Sequence, residues 1–341
     1  MWQESSDIMS MLPPGCSFAR EAAPTQAGVC GRSRRAAPFT SQHRKRVSGR
    51  YRSSFREGAV VSFDFFGAAR KAGKGEYAMG DQQRESSVLE GLTSYWTDRA
   101  ASYSKQNVEE MNDWRRAAWR ELILANAPQK ECLRVLDVGT GPGFFAMNLA
   151  LAGHEVTAVD VTENMLRYAR ENAAAYGASV RFVLHRGESL PFPDASFDLI
   201  VSRNVLWNLE YPSQALAEWA RVLAPGGRMV YFDANWYLYL FDEALRRERE
   251  DKRRAFFACH PELNGKWSLG PSRATELERT ALSLPLSRER RPEWDERVLT
   301  GLGLQVVSVV EQVGRGVQDP VEFERDAPTQ MFMVCAEKEV I

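Results

Sequence analysis

The chain of 341 residues is 44% hydrophobic and 26% charged with a formal net charge of -1, values typical of a soluble globular enzyme. The charge is unevenly placed, because residues 1–78 carry a net +7 and the remainder carries -8. An acidic main part argues against RNA or DNA as a partner, and we expect no nucleic-acid partner.

Residues 1–78 are rich in Arg, Ser, Gly, Ala and Pro and show no sustained helical or strand period. Such a segment cannot bury enough apolar surface to offset its ordering entropy. Its apolar islands, around 9–12 and 60–66, are too short for a signal sequence or a membrane span, and we expect no membrane partner. Three interpretations stay open: a mis-assigned start with Met79 as the true one, a disordered basic arm, or an organellar transit peptide.

The five cysteines and four histidines are scattered singly along the chain. Because no CxxC or other metal-ligand spacing occurs, we expect free thiols, no metal site and a reducing, cytoplasmic location.

Residues 88–128 predict two helices ahead of the first strand. Tyr95, Trp96 and Tyr103 either close over a ligand or pack into the core, and the sequence does not decide between the two. The next helix ends before Pro128, and its predicted inner face, spaced i, i+3, i+7 and i+11, consists of Met111, Trp114, Ala118 and Leu122.

A glycine-rich turn follows the first strand. Leu133 to Val138 are apolar enough for a strand buried on both faces, and the acid Asp137 lies inside this run. Three alternating glycines then allow a sharp turn and a close approach to a ligand: Gly139, Gly141 and Gly143. A dinucleotide-binding turn is usually spaced GxGxxG and holds a pyrophosphate, which an acid in the strand would repel.

The segment 135–144 resembles the first motif of the class I S-adenosylmethionine-dependent methyltransferases, of the kind that acts on small molecules. The resemblance implies S-adenosyl-L-methionine as the cofactor. It also implies that Asp137 holds the methionine end of the cofactor, that Thr140 and the three glycines admit its backbone-like atoms, and that residues 88–128 form a lid.

A second acid supports this interpretation. Glu155 to Val159 predict the next strand, and Asp160 at its end is placed to accept both ribose hydroxyls of an adenine-containing ligand. Val161 and Met165 are predicted to contact the cofactor; for Met165 a place in the core is the alternative.

The adenine side is a weaker match. Residues 187–198 resemble the segment that lies beside the adenine in this family, so Gly187 and Glu188 are predicted to contact the cofactor. Arg186 stands where many relatives have the acid that receives the adenine amino group.

Chemistry is expected at the end of the fourth strand, where residues 203–208 leave the sheet. Many relatives have a pair of histidines where this chain has Trp207 and Asn208. No base is therefore identified. The catalytic candidates are Tyr103, Asn204, Trp207 and Asp233, and Asn204 is also predicted to bind the cofactor.

An insert, residues 233–292, follows the fifth strand and contains an aromatic cluster and a highly charged helix, Glu243 to Arg254. It is predicted to cap a substrate pocket; the alternative is a solvated helix beside a hydrophobic anchor. Pro225-Gly-Gly227 is predicted to be a turn before the fifth strand.

Together these elements predict an α/β three-layer sandwich over residues 79–341. Its seven-stranded, mostly parallel, doubly wound sheet is the Rossmann-like methyltransferase fold with an inserted cap. The predicted function is methyl transfer from S-adenosylmethionine to a small-molecule methyl acceptor by in-line displacement. Two alternatives remain: a non-catalytic S-adenosylmethionine-binding regulator and, with less support, a nicotinamide-dependent oxidoreductase.

Overall fold

The computed structural model describes residues 78–264, 277–326 and 329–340. The interpretations given for residues 1–78 fall outside these ranges, apart from the backbone of Ala78, which begins the first helix.

Helices and strands alternate along most of the chain, as predicted. In order they are α1 (Ala78–Met111), α2 (Trp114–Asn126), β1 (Arg134–Val138), α3 (Phe144–Ala150), β2 (Glu155–Asp160), α4 (Glu163–Tyr176), β3 (Val180–Leu184), β4 (Phe197–Arg203), α5 (Pro212–Val222), β5 (Leu223–Asp233), α6 (Glu243–Cys259), α7 (Glu293–Gly301), β6 (Leu304–Val310), α8 (Pro320–Arg325) and β7 (Phe332–Lys338).

The seven strands form one open sheet in the order β3-β2-β1-β4-β5-β7-β6. β1 to β5 pair in parallel, and β7 runs antiparallel to both β5 and β6. The strand order reverses between β1 and β4, and a doubly wound sheet binds its ligand at such a point. This confirms the predicted fold class.

The two faces of the sheet are covered by different helices. Successive side chains of a strand point to opposite faces, so Val135 packs with Trp119 and Phe145 while its neighbour Leu136 packs with Trp219. Burial on both faces explains why β1 is apolar after the exposed Arg134, except for Asp137. The result is the three-layer arrangement.

The predicted inner face of the second helix is wrong in part. Trp114 is 51% exposed, whereas Trp119 and Ile123 are buried. The reason is a break at residues 112–113, where Asp113 caps α2 by accepting a hydrogen bond from the Arg115 N–H. The break ends α1 at Met111 and resets the phase of the helix that follows.

The fifth strand begins earlier than predicted. β5 runs from Leu223 through Pro225-Gly-Gly227, and its pairing with β4 shifts register between Phe197 and Leu199. The Pro-Gly-Gly segment is therefore an irregularity inside a strand rather than a separate turn, which a bulge accommodates.

Candidate active site

A cavity of about 340 Å³ lies at the carboxyl ends of β1, β2 and β4, within the size range of small-molecule sites. Most residues predicted to bind the cofactor line it: Asp137, Gly139, Thr140, Gly141, Asp160, Val161, Met165, Gly187, Glu188 and Asn204. Of the catalytic candidates, Tyr103, Asn204 and Trp207 line it. Gly143 and Asp233 do not line the cavity.

The glycine turn needs glycine for two reasons. Gly139 and Gly141 have φ values of +66° and +54°, in the left-handed region that side chains disfavour. A Cβ on Gly139 would also lie 2.2 Å from Cγ2 of Val205, in the segment after β4. The turn and that segment therefore approach each other closely at the cavity.

Gly143 serves helix packing. It is the N-cap of α3 with φ +93°, and a Cβ there would lie 3.2 Å from the Cβ of Ala169 in α4. The sequence predicted a cofactor contact, because it could not show which way the third glycine faces.

Asp137 ties the strand to the helix after the turn. Its Oδ2 accepts hydrogen bonds from the Thr140 hydroxyl at 2.7 Å and from the Ala146 N–H at 3.0 Å. Within the described ranges its Oδ1 has no hydrogen-bond partner. Burial raises the pKa of Asp137 to about 7, against the opposing effect of these two bonds.

Asp160 joins the ends of β1 and β2. Its Oδ2 accepts a hydrogen bond from the Gly141 N–H and its Oδ1 accepts one from the Thr162 N–H, both at 2.9 Å. Burial raises the pKa of Asp160, and these N–H groups act against that rise. Each carboxylate oxygen keeps a second lone pair for a ligand.

Sequence reasoning missed a partly buried ion pair that includes Arg203, a residue of the cavity lining. Arg203, the last residue of β4, lies 2.8 Å from the Glu110 carboxylate of α1. Its guanidinium stacks over Trp119, Phe144 and Phe145, with 4.8 to 5.2 Å between its Cζ and the ring centroids. The pair is separated by 93 residues in sequence, so no local spacing indicates it.

Four buried polar atoms in the cavity lining have no hydrogen-bond partner among the described residues: Arg99 Nε, Asn107 Oδ1, Thr162 Oγ1 and Asn204 Oδ1. Asn204 also adopts φ +59°, a conformation that Asn tolerates better than most residues. Buried groups of this kind each cost about 1–3 kcal/mol unless a ligand satisfies them. They mark a place where a ligand supplies the missing partners.

One end of the cavity is an aromatic chamber, formed by Tyr95, Trp96, Trp207, Trp236 and Tyr237. α1 provides the first two residues, the segment after β4 provides the third, and the insert after β5 provides the last two. Leu277, in the described part of the insert, also lines the cavity.

Asp233 lies behind this chamber. It is 1% exposed and accepts hydrogen bonds from Arg291, from the N–H groups of Trp207 and Ala234, and from the indole of Trp236. A carboxylate engaged by four donors has no lone pair left for an acceptor's proton. Its geometry therefore gives it a structural place and not the place of a catalytic base.

The described ranges contain no group of three or more His, Cys, Asp or Glu residues that could hold a metal ion. No helix within them is long and apolar enough to cross a membrane.

Comparison with known proteins identifies the family. A family model described as a methyltransferase domain matches residues 136–231. A demethylmenaquinone methyltransferase of Deinococcus radiodurans is 43% identical over 122 residues, which are 35% of this chain and 48% of that protein. A malonyl-[acyl-carrier protein] O-methyltransferase of Erwinia pyrifoliae is 43% identical over 112 residues, 33% of this chain and 41% of that protein.

Among solved structures, an S-adenosyl-L-methionine-dependent methyltransferase from Methanococcus maripaludis is 19% identical, with a TM-score of 0.46, over 72% of this chain and 94% of that one. The chain spans about half the length of the curated relatives it matches. The matched segment contains the glycine turn, Asp160 and β4, the parts that build the cavity. Residues 136–231 therefore match a methyltransferase domain, in agreement with the resemblance of residues 135–144 to the class I S-adenosylmethionine-dependent methyltransferases.

Proposed function

We propose that this protein transfers a methyl group from S-adenosylmethionine to a small-molecule acceptor. The observation that carries the proposal is the contact between Asp160 and Gly141, 2.9 Å between Oδ2 and N. Through this contact the acid that is suited to ribose hydroxyls lies beside the glycine turn, and both line one cavity. Unpartnered polar atoms at the same cavity match the polar end of the cofactor.

The methionine end of the cofactor carries an ammonium and a carboxylate. Asn107 Oδ1 and Asn204 Oδ1 are acceptors suited to the ammonium, and the Arg99 guanidinium is suited to the carboxylate. Those atoms would gain the partners that they lack in the chain itself.

The nucleoside end would lie against Asp160 and the residues after β2 and β3. We assign the ribose hydroxyls to Asp160 and the adenine to Val161, Met165, Gly187 and Glu188, all of which line the cavity. Met165 is only 2% exposed, and its side chain contributes an apolar contact.

Bound S-adenosylmethionine supplies an electrophilic methyl group on a positively charged sulfur. The chain's own contribution is to align an acceptor with that methyl group and to keep water away, because positive charge disperses in the displacement. Tyr103 lines the cavity beside Gly141 and Trp207 lines it in the aromatic chamber, and we propose that they position the acceptor.

The acceptor is proposed only as a small molecule. The two relatives described above bear names with different acceptors, a demethylmenaquinone and a malonyl group on an acyl-carrier protein. Each is matched over less than half of its own length.

The test is calorimetry with S-adenosylhomocysteine, followed by incubation of a metabolite extract with radiolabelled methyl donor. We expect S-adenosylhomocysteine to bind, NAD not to bind, and label to enter small molecules. An Asp160→Asn variant should weaken both the binding and the labelling. Binding of NAD alone would contradict the proposal, and label appearing in RNA would contradict the acceptor class.

A further inference from the structure

We infer that the acceptor is a neutral, planar aromatic compound held in the aromatic chamber by ring stacking and one polar contact. This inference rests on the proposed function, since the chamber is continuous with the cavity assigned to the methyl donor. Three features of the chamber support it: the aromatic rings that form its walls, the hydrogen bonds that hold those rings, and the pairing of the carboxylates around it.

The walls are aromatic on several sides. The ring centroids of Trp207 and Tyr237 lie 5.2 Å apart with their planes tilted by 42°, and Tyr95 and Trp96 meet edge to face at 5.0 Å. Aromatic rings prefer other aromatic rings at such separations, beyond the gain from burying apolar area. A flat ring is the ligand shape that several such walls fit.

The walls are also held in place. One carboxylate, that of Asp233, accepts hydrogen bonds from the Trp207 backbone N–H at 3.1 Å and from the Trp236 indole N–H at 3.2 Å. The Trp96 indole N–H donates to Asn208 Oδ1 at 3.4 Å. Side chains fixed before binding lose less entropy when a ligand arrives.

The carboxylates around the chamber are already engaged. Asp233 is paired with Arg291, Glu278 accepts the Tyr239 hydroxyl at 2.7 Å, and Glu210 lies 3.8 Å from Arg186. A cationic amine entering the chamber would therefore gain none of these three carboxylates, and only the ring faces would attract it. An anionic acceptor would meet the negative faces of the rings.

One polar group remains for the acceptor. Within the described ranges the Tyr237 hydroxyl has no hydrogen-bond partner, and burial raises the pKa of Tyr237 above its usual value, so it stays protonated. A protonated phenol can donate to, or accept from, an oxygen on the acceptor. This contact would fix the orientation of a ring that stacking alone leaves free to slide.

A charge series on one ring system tests the inference. Calorimetry on the full chain saturated with S-adenosylhomocysteine should compare 2-naphthol, 2-naphthylmethylamine, which is a cation at neutral pH, and 2-naphthoate, which is an anion. We expect 2-naphthol to bind, and the two charged analogues to bind about tenfold more weakly or not at all.

Variants connect this binding to the chamber. Trp236→Ala should weaken 2-naphthol binding about tenfold or more, and Tyr237→Phe should weaken it a few-fold, both with unchanged affinity for S-adenosylhomocysteine. Trp114→Ala is the matched control, because Trp114 is 51% exposed and lies outside the cavity lining. It should bind both ligands as the parent chain does.

The outcomes separate the two proposals. If the parent chain does not bind S-adenosylhomocysteine, the proposed function fails. If it binds S-adenosylhomocysteine and the ammonium analogue binds most tightly, the chamber is a cation cage and the inference is overturned. Absence of naphthol binding, or naphthol binding that Trp236→Ala leaves intact, also overturns it.

Discussion

The carboxylate of Asp160 accepts a hydrogen bond from the backbone N–H of Gly141, nineteen residues earlier in the chain, at 2.9 Å. The acid at the end of β2 and the turn after β1 are therefore fixed to each other before any ligand binds. Binding energy for the cofactor need not be spent on bringing them together.

Replacing Asp160 tests the donor site directly. Asp160→Ala should weaken S-adenosylhomocysteine binding at least about tenfold, because charge-assisted hydrogen bonds contribute about 1.5–3 kcal/mol each. It should also lower the melting temperature, since Gly141 and Thr162 each lose an acceptor. Calorimetry and thermal unfolding measure the two effects. Glu163→Ala, which removes only a surface ion pair with Arg170, is the control, and an unchanged dissociation constant for Asp160→Ala would contradict the site.

Asp137 predicts a pH dependence of stability. Burial raises its pKa from an ordinary 3.8 to about 7, so the folded chain retains a proton that the unfolded chain has already lost. The stability that this group contributes is fully present below the unfolded pKa and is lost as the pH rises through about 7. The change amounts to about 4 kcal/mol at most.

Asp137→Asn cannot ionise, and its melting temperature should vary less with pH across that window than the parent's does. Thermal unfolding of both proteins, without ligand, in a series of buffers is the measurement. Parallel curves for the two proteins would show that Asp137 does not titrate there.

Removing Arg291 should be strongly destabilising. Its side chain is fully buried between Asp233 and Asp295, and its loss would leave two buried carboxylates uncompensated. We expect Arg291→Met to cost about 3–5 kcal/mol, and addition of Asp233→Asn to recover part of that cost. Urea unfolding gives both values.

The matched control is Arg297→Met, a substitution in α7, the helix that begins just after Arg291. The Arg297 side chain is 66% exposed and pairs with Glu289 at 3.4 Å, so its loss should change stability by less than about 1 kcal/mol. Equal effects at Arg291 and Arg297 would contradict the assignment of Arg291 to a buried network.

Gly143 should matter for folding more than for binding. Gly143→Ala places a Cβ at φ +93° and 3.2 Å from Ala169, and a left-handed side chain costs about 1–2 kcal/mol even without the contact. We expect a lower melting temperature and an S-adenosylhomocysteine affinity within a few-fold of the parent's. A large loss of affinity in a protein that unfolds at the parent's temperature would instead place Gly143 in the cofactor site.

Local signals in the sequence were sufficient for the parts of the site that lie within one strand-turn-helix unit. Strand β1, its glycine turn and the acid ending β2 were predicted because an apolar run, a glycine spacing and an acid at a strand end are each read over a few residues. The sheet confirmed them, and Gly139, Thr140 and Gly141 of the turn line the cavity, whereas Gly143 does not.

Contacts between distant segments could be known only from the tertiary structure. Glu110 meets Arg203 across 93 residues, and Asp233 meets Arg291 across 58, although nothing near either residue in sequence indicates its partner. The direction and burial of a side chain depend on what packs against it. That is why Asp233, at a strand end like Asp160, supports the wall of the chamber while Asp160 faces the cavity.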